Sequence, residues 1–193
     1  MSLDLIRKLR EETGAGVLAA QKALQEANND YDAAVMILRK SGQKVAAKKA
    51  ERATHEGLIG YYVHATGKIG ALVAVACETD FVSRSDAFQE LAHDLALHAA
   101  ATRPQYVKRE DIPTDVMDRE REVARAELTT ANKPEAMWDK IIAGKLDKFF
   151  GDVCFLEQKF VKDESLTIRD LIQQAIVKLG ENIQVREVSV LSL

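Results

Sequence analysis

Cys77-Glu78-Thr79-Asp80-Phe81-Val82-Ser83-Arg84 is the stretch on which the reading of this chain turns. It follows an apolar run, Ile69 to Cys77, of the kind that forms a buried strand. It precedes a helical pattern to about Thr102, in which Phe88, Leu91, Leu95 and Ala99 recur at steps of three and four. A strand therefore gives way to a helix at Thr79-Asp80. Two readings of the junction stay open. In the local one, Asp80 or Thr79 caps the helix by accepting from an unpaired backbone N–H, and Phe81 extends the Phe88 face seven residues on. In the other, Asp80 and Phe81 project from the surface into a partner protein.

Before the junction, Leu58 to His64 and Lys68 to Cys77 read as two strands, with Ala65-Thr66-Gly67 as a short hairpin turn. Leu72, Val73 and Val75 are apolar on both faces of the second strand, as expected where a helix covers one of them. Further upstream the period is helical. Leu3 to Thr13 places Leu5, Ile6 and Leu9 on one side, and Gly14-Ala15-Gly16 stops it. Val17 to Ala27 offers Leu18, Ala20, Ala23 and Leu24 as contact residues. Asp30 is a good N-cap for a third helix, Tyr31 to Lys40, which Ser41-Gly42 should end. Gln43 to Thr54 reads as a separate basic connecting helix carrying Lys44, Lys48, Lys49 and Arg52. Residues 1–54 thus form a three-helix module with a basic connector, its small bundle marginal alone and suited to docking on a larger body.

After the junction, a polar connection bracketed by Pro104 and Pro113 leads to a charged helix, Asp115 to Thr130. Asn132-Lys133-Pro134 breaks it, and Pro134 opens a helix with Met137, Trp138, Ile141 and Ile142. Residues of about 104–150 read as a helical arm. Val153 to Phe160 is strand or extended loop, Leu166 to Leu179 an amphipathic helix, and Ile183 to Leu193 an alternating terminal strand. The expected fold class is α+β: a helical N-terminal module, then residues 55–193 as a core with a small antiparallel sheet packed by helices.

Composition narrows the function. Of 193 residues 47% are hydrophobic and 30% charged, with a formal net charge of -3. That suits one or two globular domains and disfavours whole-surface attraction to nucleic acid. Two cysteines, Cys77 and Cys154, sit in apolar segments and suit free thiols in a reducing compartment. No signal-peptide pattern opens the chain and no run spans a bilayer, so a soluble cytoplasmic protein is expected, without membrane contact. The four histidines, His55, His64, His93 and His98, make no metal spacing, and Asp94 four before His98 reads as a surface ion pair. Gly14-x-Gly16 lacks the preceding strand and the Gly-Lys-Ser/Thr of a phosphate loop. No activated nucleophile is visible. The expectation is a protein that acts by binding, with no cofactor, no metal and no catalytic residues of its own. A nucleic-acid-binding module built on the N-terminal helices and residues 44–52 is the competing reading; it lacks aromatic side chains for stacking.

Together the motifs resemble one family. Leu9-Arg10, Thr13-Gly14-Ala15-Gly16, Lys22-Ala23-Leu24, Leu38-Arg39-Lys40-Ser41-Gly42 and Ala47-Lys48-Lys49-Ala50 are similar to the N-terminal module of bacterial elongation factor Ts. Cys77-Glu78-Thr79-Asp80-Phe81-Val82 resembles that family's exchange signature, and Phe160-Val161-Lys162-Asp163 and Gly180-Glu181-Asn182-Ile183 resemble its later landmarks. The resemblance implies a ubiquitin-associated-like module and nucleotide exchange on elongation factor Tu. Asp80 and Phe81 would enter near that partner's Mg²⁺ and phosphate site, with Thr79 and Val82 shaping the loop. Arg10 and the Gly14, Ala15, Gly16 turn would touch its GTPase domain. The chain is as short as members that pair as homodimers, and it has one Thr-Asp-Phe-Val. It departs from the pattern at Ala76, where asparagine is usual, and in its Arg186 to Val190 ending.

Overall fold

The computed structural model describes residues 3–131 and 134–193; Asn132 and Lys133, expected as a helix breaker, lie outside the described residues. Three helices, α1 (Leu3–Thr13), α2 (Val17–Glu26) and α3 (Tyr31–Lys49), open the chain. Their contact is a small apolar cluster centred on Ile6, Leu9, Ala20, Leu24, Val35 and Leu38. Asp30 caps α3 as expected, accepting from the Ala33 N–H at 2.9 Å. Leu18 is not part of the contact. It is 81% exposed, because the buried face of α2 is set by Ala20, Ala23 and Leu24 and a residue two before Ala20 points away.

The expected stop at Ser41-Gly42 does not occur. α3 runs on without a break to Lys49, so the third helix and the basic connector are one element. Interior glycine costs a helix about 1 kcal/mol. Here the cost is offset by packing on α8 (Ile168–Leu179): a Cβ at Gly42 would reach Val177 Cγ2 at 3.4 Å. Further along, Ala46 of α3 enters the main core.

That core lies between a three-stranded antiparallel sheet and α5 (Asp86–Thr102), with α8 beside it. The sheet order is β1 (Glu56–Val63), β2 (Ile69–Cys77), β5 (Gln184–Ser192). On β2, Ala71, Val73, Val75 and Cys77 point inward and are buried. Phe88, Leu91, Leu95 and Ala99 of α5 meet them, as the helical spacing predicts. Gly60 lets α5 approach: any Cβ there would sit 2.2 Å from the Ala92 carbonyl oxygen. On β5 the alternation slips by one. Val185 pairs with Val75 and Val188 with Val73, so Arg186 is the extra residue of a β-bulge, and both valines face inward. The outer face is apolar and uncovered, with Ile59, Tyr61, Val63, Leu72 and Leu191 each more than half exposed.

The arm is the antiparallel pair α6 (Thr114–Thr130) and α7 (Trp138–Val153). Pro134 precedes a 3-10 turn, Glu135–Met137, rather than opening α7 itself. The stretch after α7 is another 3-10 turn and then a two-stranded hairpin, β3 (Lys159–Phe160) and β4 (Asp163–Thr167). β4 takes the residues expected to begin the amphipathic helix. That helix, α8, starts only where Thr167 caps it, with Asp170 bonding back to the Thr167 N–H.

His98 corrects another expectation. It is fully buried between Phe155 and Phe160 and makes no ion pair with Asp94. Its Nε2 lies 3.1 Å from Gln158 Oε1, and its Nδ1 accepts from the Val161 N–H at 3.3 Å. Asp94 instead pairs with Lys162. α5 is thereby fastened to the β3–β4 hairpin.

Candidate functional site

β2 ends at Cys77, and the chain turns through Glu78 and Thr79 into a single helical turn, α4 (Asp80–Ser83). Thr79 is the cap, its hydroxyl accepting from the Val82 N–H at 3.4 Å. Asp80 is free of that task. The Cys77 thiol, pushed up by burial and then by the charge of Glu181, stays protonated and donates to the Thr79 carbonyl at 3.2 Å. α4 then stops. Arg84 and Ser85 intervene, and Ser85 starts α5 by accepting from the Phe88 N–H.

This break overturns the local reading of Phe81. The ring does not extend the Phe88 face: Phe81 is 81% exposed, whereas Phe88 is wholly buried. Val82, its neighbour, is buried and roots the turn. Asp80 is also exposed, and its carboxylate meets Arg84 one turn on at 3.2 Å. The tip of the turn therefore presents an acid, a ring and a cation to solvent.

What holds the tip comes from more than a hundred residues away. One oxygen of the Glu181 carboxylate accepts from the Glu78 and Thr79 N–H groups at 3.1 and 3.0 Å. The other accepts from the Thr79 hydroxyl at 2.6 Å. Glu78 answers by accepting from the Asn182 N–H at 2.6 Å. The two turns thus clamp each other through their acids. Behind them, the Asn182 side chain donates to the carbonyls of Ala50 and Arg52, tying the clamp to the end of α3. Sequence reasoning took Gly180-Glu181-Asn182-Ile183 as a landmark and missed this role, because nothing local in either segment shows that they meet.

The N-terminal residues singled out in the sequence divide. Gly14 takes the left-handed conformation, φ 68°, and presses on α8, where a Cβ would come within 3.1 Å of the Gln174 carbonyl oxygen. Ala15 is buried, while Arg10 and Gly16 face solvent. Arg10, Gly14 and Ala15 line a groove of about 580 Å³ whose opposite wall includes Ala87 and Glu90 of α5. One concave surface therefore runs from the first helical turn-around to a point six residues past Phe81.

The basic segment favoured by the nucleic-acid reading is partly committed elsewhere. Lys49 donates to the Gly180 carbonyl and Arg52 pairs with Glu78 at 3.6 Å. Among the described residues no group of three or more His, Cys, Asp or Glu side chains could hold a metal ion. No described helix is long and apolar enough to cross a membrane.

Fold and site together define a class: an α+β protein that presents an exposed acid-and-ring turn fixed rigidly to its core. Comparison with known proteins gives the family. A model of the family described as Elongation factor TS matches residues 5–178. The chain is 52% identical over 185 residues to elongation factor Ts of Fervidobacterium nodosum, covering 96% of this chain and 94% of that protein. It is 50% identical to the Herpetosiphon aurantiacus protein of that name, covering 98% and 96%. With the Thermotoga maritima protein it shares 52%, covering 96% and 92%. The chain belongs to the elongation factor Ts family, a family of translation elongation factors.

Proposed function

We propose that this chain speeds release of GDP from elongation factor Tu by pressing Asp80 and Phe81 into the loops around that GTPase's Mg²⁺ and phosphate site. The observation that carries the reading is a Phe81 ring four-fifths in water on a turn clamped at its base. Burying such a ring is worth about 1.5–3 kcal/mol, a gain available only against a partner. Mg²⁺ tolerates little departure from octahedral geometry, so small shifts in the loops around it weaken the nucleotide's hold. Each tenfold gain in release needs about 1.4 kcal/mol off the barrier. By linkage, nucleotide weakens this protein's binding by the same factor, so GTP arrival releases it. The protein then acts by binding and is no enzyme in the chemical sense.

Arg10, Gly14, Ala15 and Gly16 fit into the same reading as contacts to the partner's GTPase domain, since Arg10, Gly14 and Ala15 line a groove that reaches Ala87, six residues past Phe81, and Gly16 is exposed next to them. Residues 1–54 are the docking module and 55–193 the core, with the helical arm at about 104–150. Pairing of two copies is supported by the uncovered outer face of the sheet, since contiguous exposed apolar patches mark interfaces. A cytoplasmic place follows from a partner that works in translation.

The test is release of a fluorescent GDP analogue from elongation factor Tu. Phe81→Ala and Asp80→Ala should slow the acceleration with no change in melting temperature. Full acceleration by both variants overturns the site. For pairing, the protein should sediment as a dimer and Leu72→Glu as a monomer; a monomeric wild-type protein removes that part.

A further inference from the structure

We propose that the groove between α3, α8 and β5 docks an acidic amphipathic peptide segment of a partner protein. The groove encloses about 530 Å³ and shares no lining residue with the one that holds Arg10 and Gly14. Its floor is apolar, formed by Ala47 of α3, Ala50 just past the end of α3, Ile172 and Ile176 of α8, and Val185 of β5. Two of its four lining amides are engaged, Asn182 donating to the Ala50 and Arg52 carbonyls and Gln184 to that of Ala50, while Gln43 and Gln173 at the rim make no side-chain hydrogen bond among the described residues. Covering the floor leaves these three hydrogen bonds in place, and each one broken would cost about 1–3 kcal/mol.

The rim sets the sign of the occupant. Lys108, Arg169 and Arg186 line the groove against a single acid, Asp111, in a chain whose net charge is -3. Asp111 is occupied, accepting from the Lys108 N–H at 3.1 Å. Arg186 donates only to Thr54, at 2.7 Å to its hydroxyl, and neither it nor Lys108 is in an ion pair among the described residues. Arg169 pairs with Glu157, which also serves Arg109. Two cations without an ion pair, Lys108 and Arg186, beside an apolar floor call for carboxylates on an apolar segment. Past Arg186 a second hollow of about 190 Å³ follows Glu187 and Val188 along β5. That elongation suits a peptide better than a compact ligand. The main groove has no aromatic ring on which a base could stack, which disfavours a nucleic acid.

The inference does not rest on the exchange reading and fails separately from it. The probe is a fluorescein-labelled twelve-residue peptide of leucines and glutamates at helical spacing. Its lysine-for-glutamate counterpart and a single-stranded RNA of equal length are the comparisons. The acidic peptide should bind saturably, shifting the amide resonances of Ile172 and Ile176, with GDP release from elongation factor Tu unaltered by Lys108→Glu. Lys108→Glu, at an exposed position, should weaken binding about tenfold, and adding Arg186→Glu should weaken it further. Ala47→Trp should block it by filling the floor. Equal or tighter binding of the basic peptide or the RNA, shifts confined to other surfaces, or affinity indifferent to Lys108→Glu would each overturn the proposal. So would dissociation of a dimer by the peptide, which would make the groove's occupant a second copy.

Discussion

Phe81 and Phe88 sit seven residues apart, at a spacing that would give them one side of a continuous helix, yet one is 81% exposed and the other has no exposure at all. The difference is made by Arg84 and Ser85. They end α4 and restart the helix on a new cap, so the two rings belong to different elements. The same type of side chain therefore serves two ends. Phe88 is worth what it buries within the chain; Phe81 is worth what it can bury in something else. The contrast breaks down if the two truncations behave alike. Phe88→Ala should lower stability by about 3–5 kcal/mol, read by chemical denaturation. Phe81→Ala should leave stability within about 0.5 kcal/mol and act only on exchange. A Phe81→Ala variant as unstable as Phe88→Ala would mean that the turn is core.

A finer version of the contrast separates the turn's tip from what holds it. Glu181→Ala removes the acceptor for two backbone N–H groups and a hydroxyl at once. We expect a loss of about 1–3 kcal/mol, together with slower GDP release although Phe81 is intact. Glu181→Gln should recover part of both. Its amide oxygen still serves the two N–H groups, and the Thr79 hydroxyl can turn to accept from the amide nitrogen. If Glu181→Ala loses stability but exchanges at the full rate, the clamp is scaffolding only.

How far the sequence could be read follows the range of the interactions. Helix caps and apolar spacing act within four residues, and Asp30, the α5 stripe and the β1–β2 hairpin were all legible. Contacts made at a distance were not. Gly42 looks like a stop because the α8 residue that rewards an unbroken helix, Val177, lies far along the chain. Asp163–Thr167 was missed because β4 forms against only two residues of β3. The Thr167 cap with Asp170 three on is a local signal and is legible in the sequence. At the site, the signature residues stood out. Glu181, which fixes them, could be found only once both turns were in space.

The β3–β4 side of α5 gives a pH-dependent test of the same contrast, since it concerns the core and leaves the tip alone. Burial holds the His98 imidazole below its ordinary 6.5, with the Gln158 hydrogen bond opposing. The unfolded chain thus binds the proton more readily than the folded one. Stability is fully present above pH 6.5 and falls as pH drops below it, since a proton on Nδ1 would face the Val161 N–H. Glu157 behaves in the same sense at lower pH. Burial raises it, but Arg109 and Arg169 outweigh that and hold it below its ordinary 4.5, so its contribution is lost as pH falls below 4.5. Denaturation from pH 8 to 5 should show the first slope, and His98→Asn should flatten it. An unchanged slope in that variant would assign the loss to another group.

The smallest effect belongs to the tip's own ion pair. Arg84 and Asp80 are both largely exposed, at 81% and 60% of their side chains, and stand one helical turn apart. A pair of this kind contributes about 0–1 kcal/mol, because solvent screens it and two long side chains lose freedom in making it. Arg84→Ala should therefore leave the melting curve nearly unmoved. Its effect on exchange tells what Asp80 does before it meets a partner. With Arg84 gone, the carboxylate no longer has to leave a cation to reach one, so GDP release should be equal or slightly faster, more so at low salt. Release that slows by tenfold or more would instead make Arg84 a contact in its own right, and the acting surface would be three residues wide where Asp80 and Phe81 alone are now assigned.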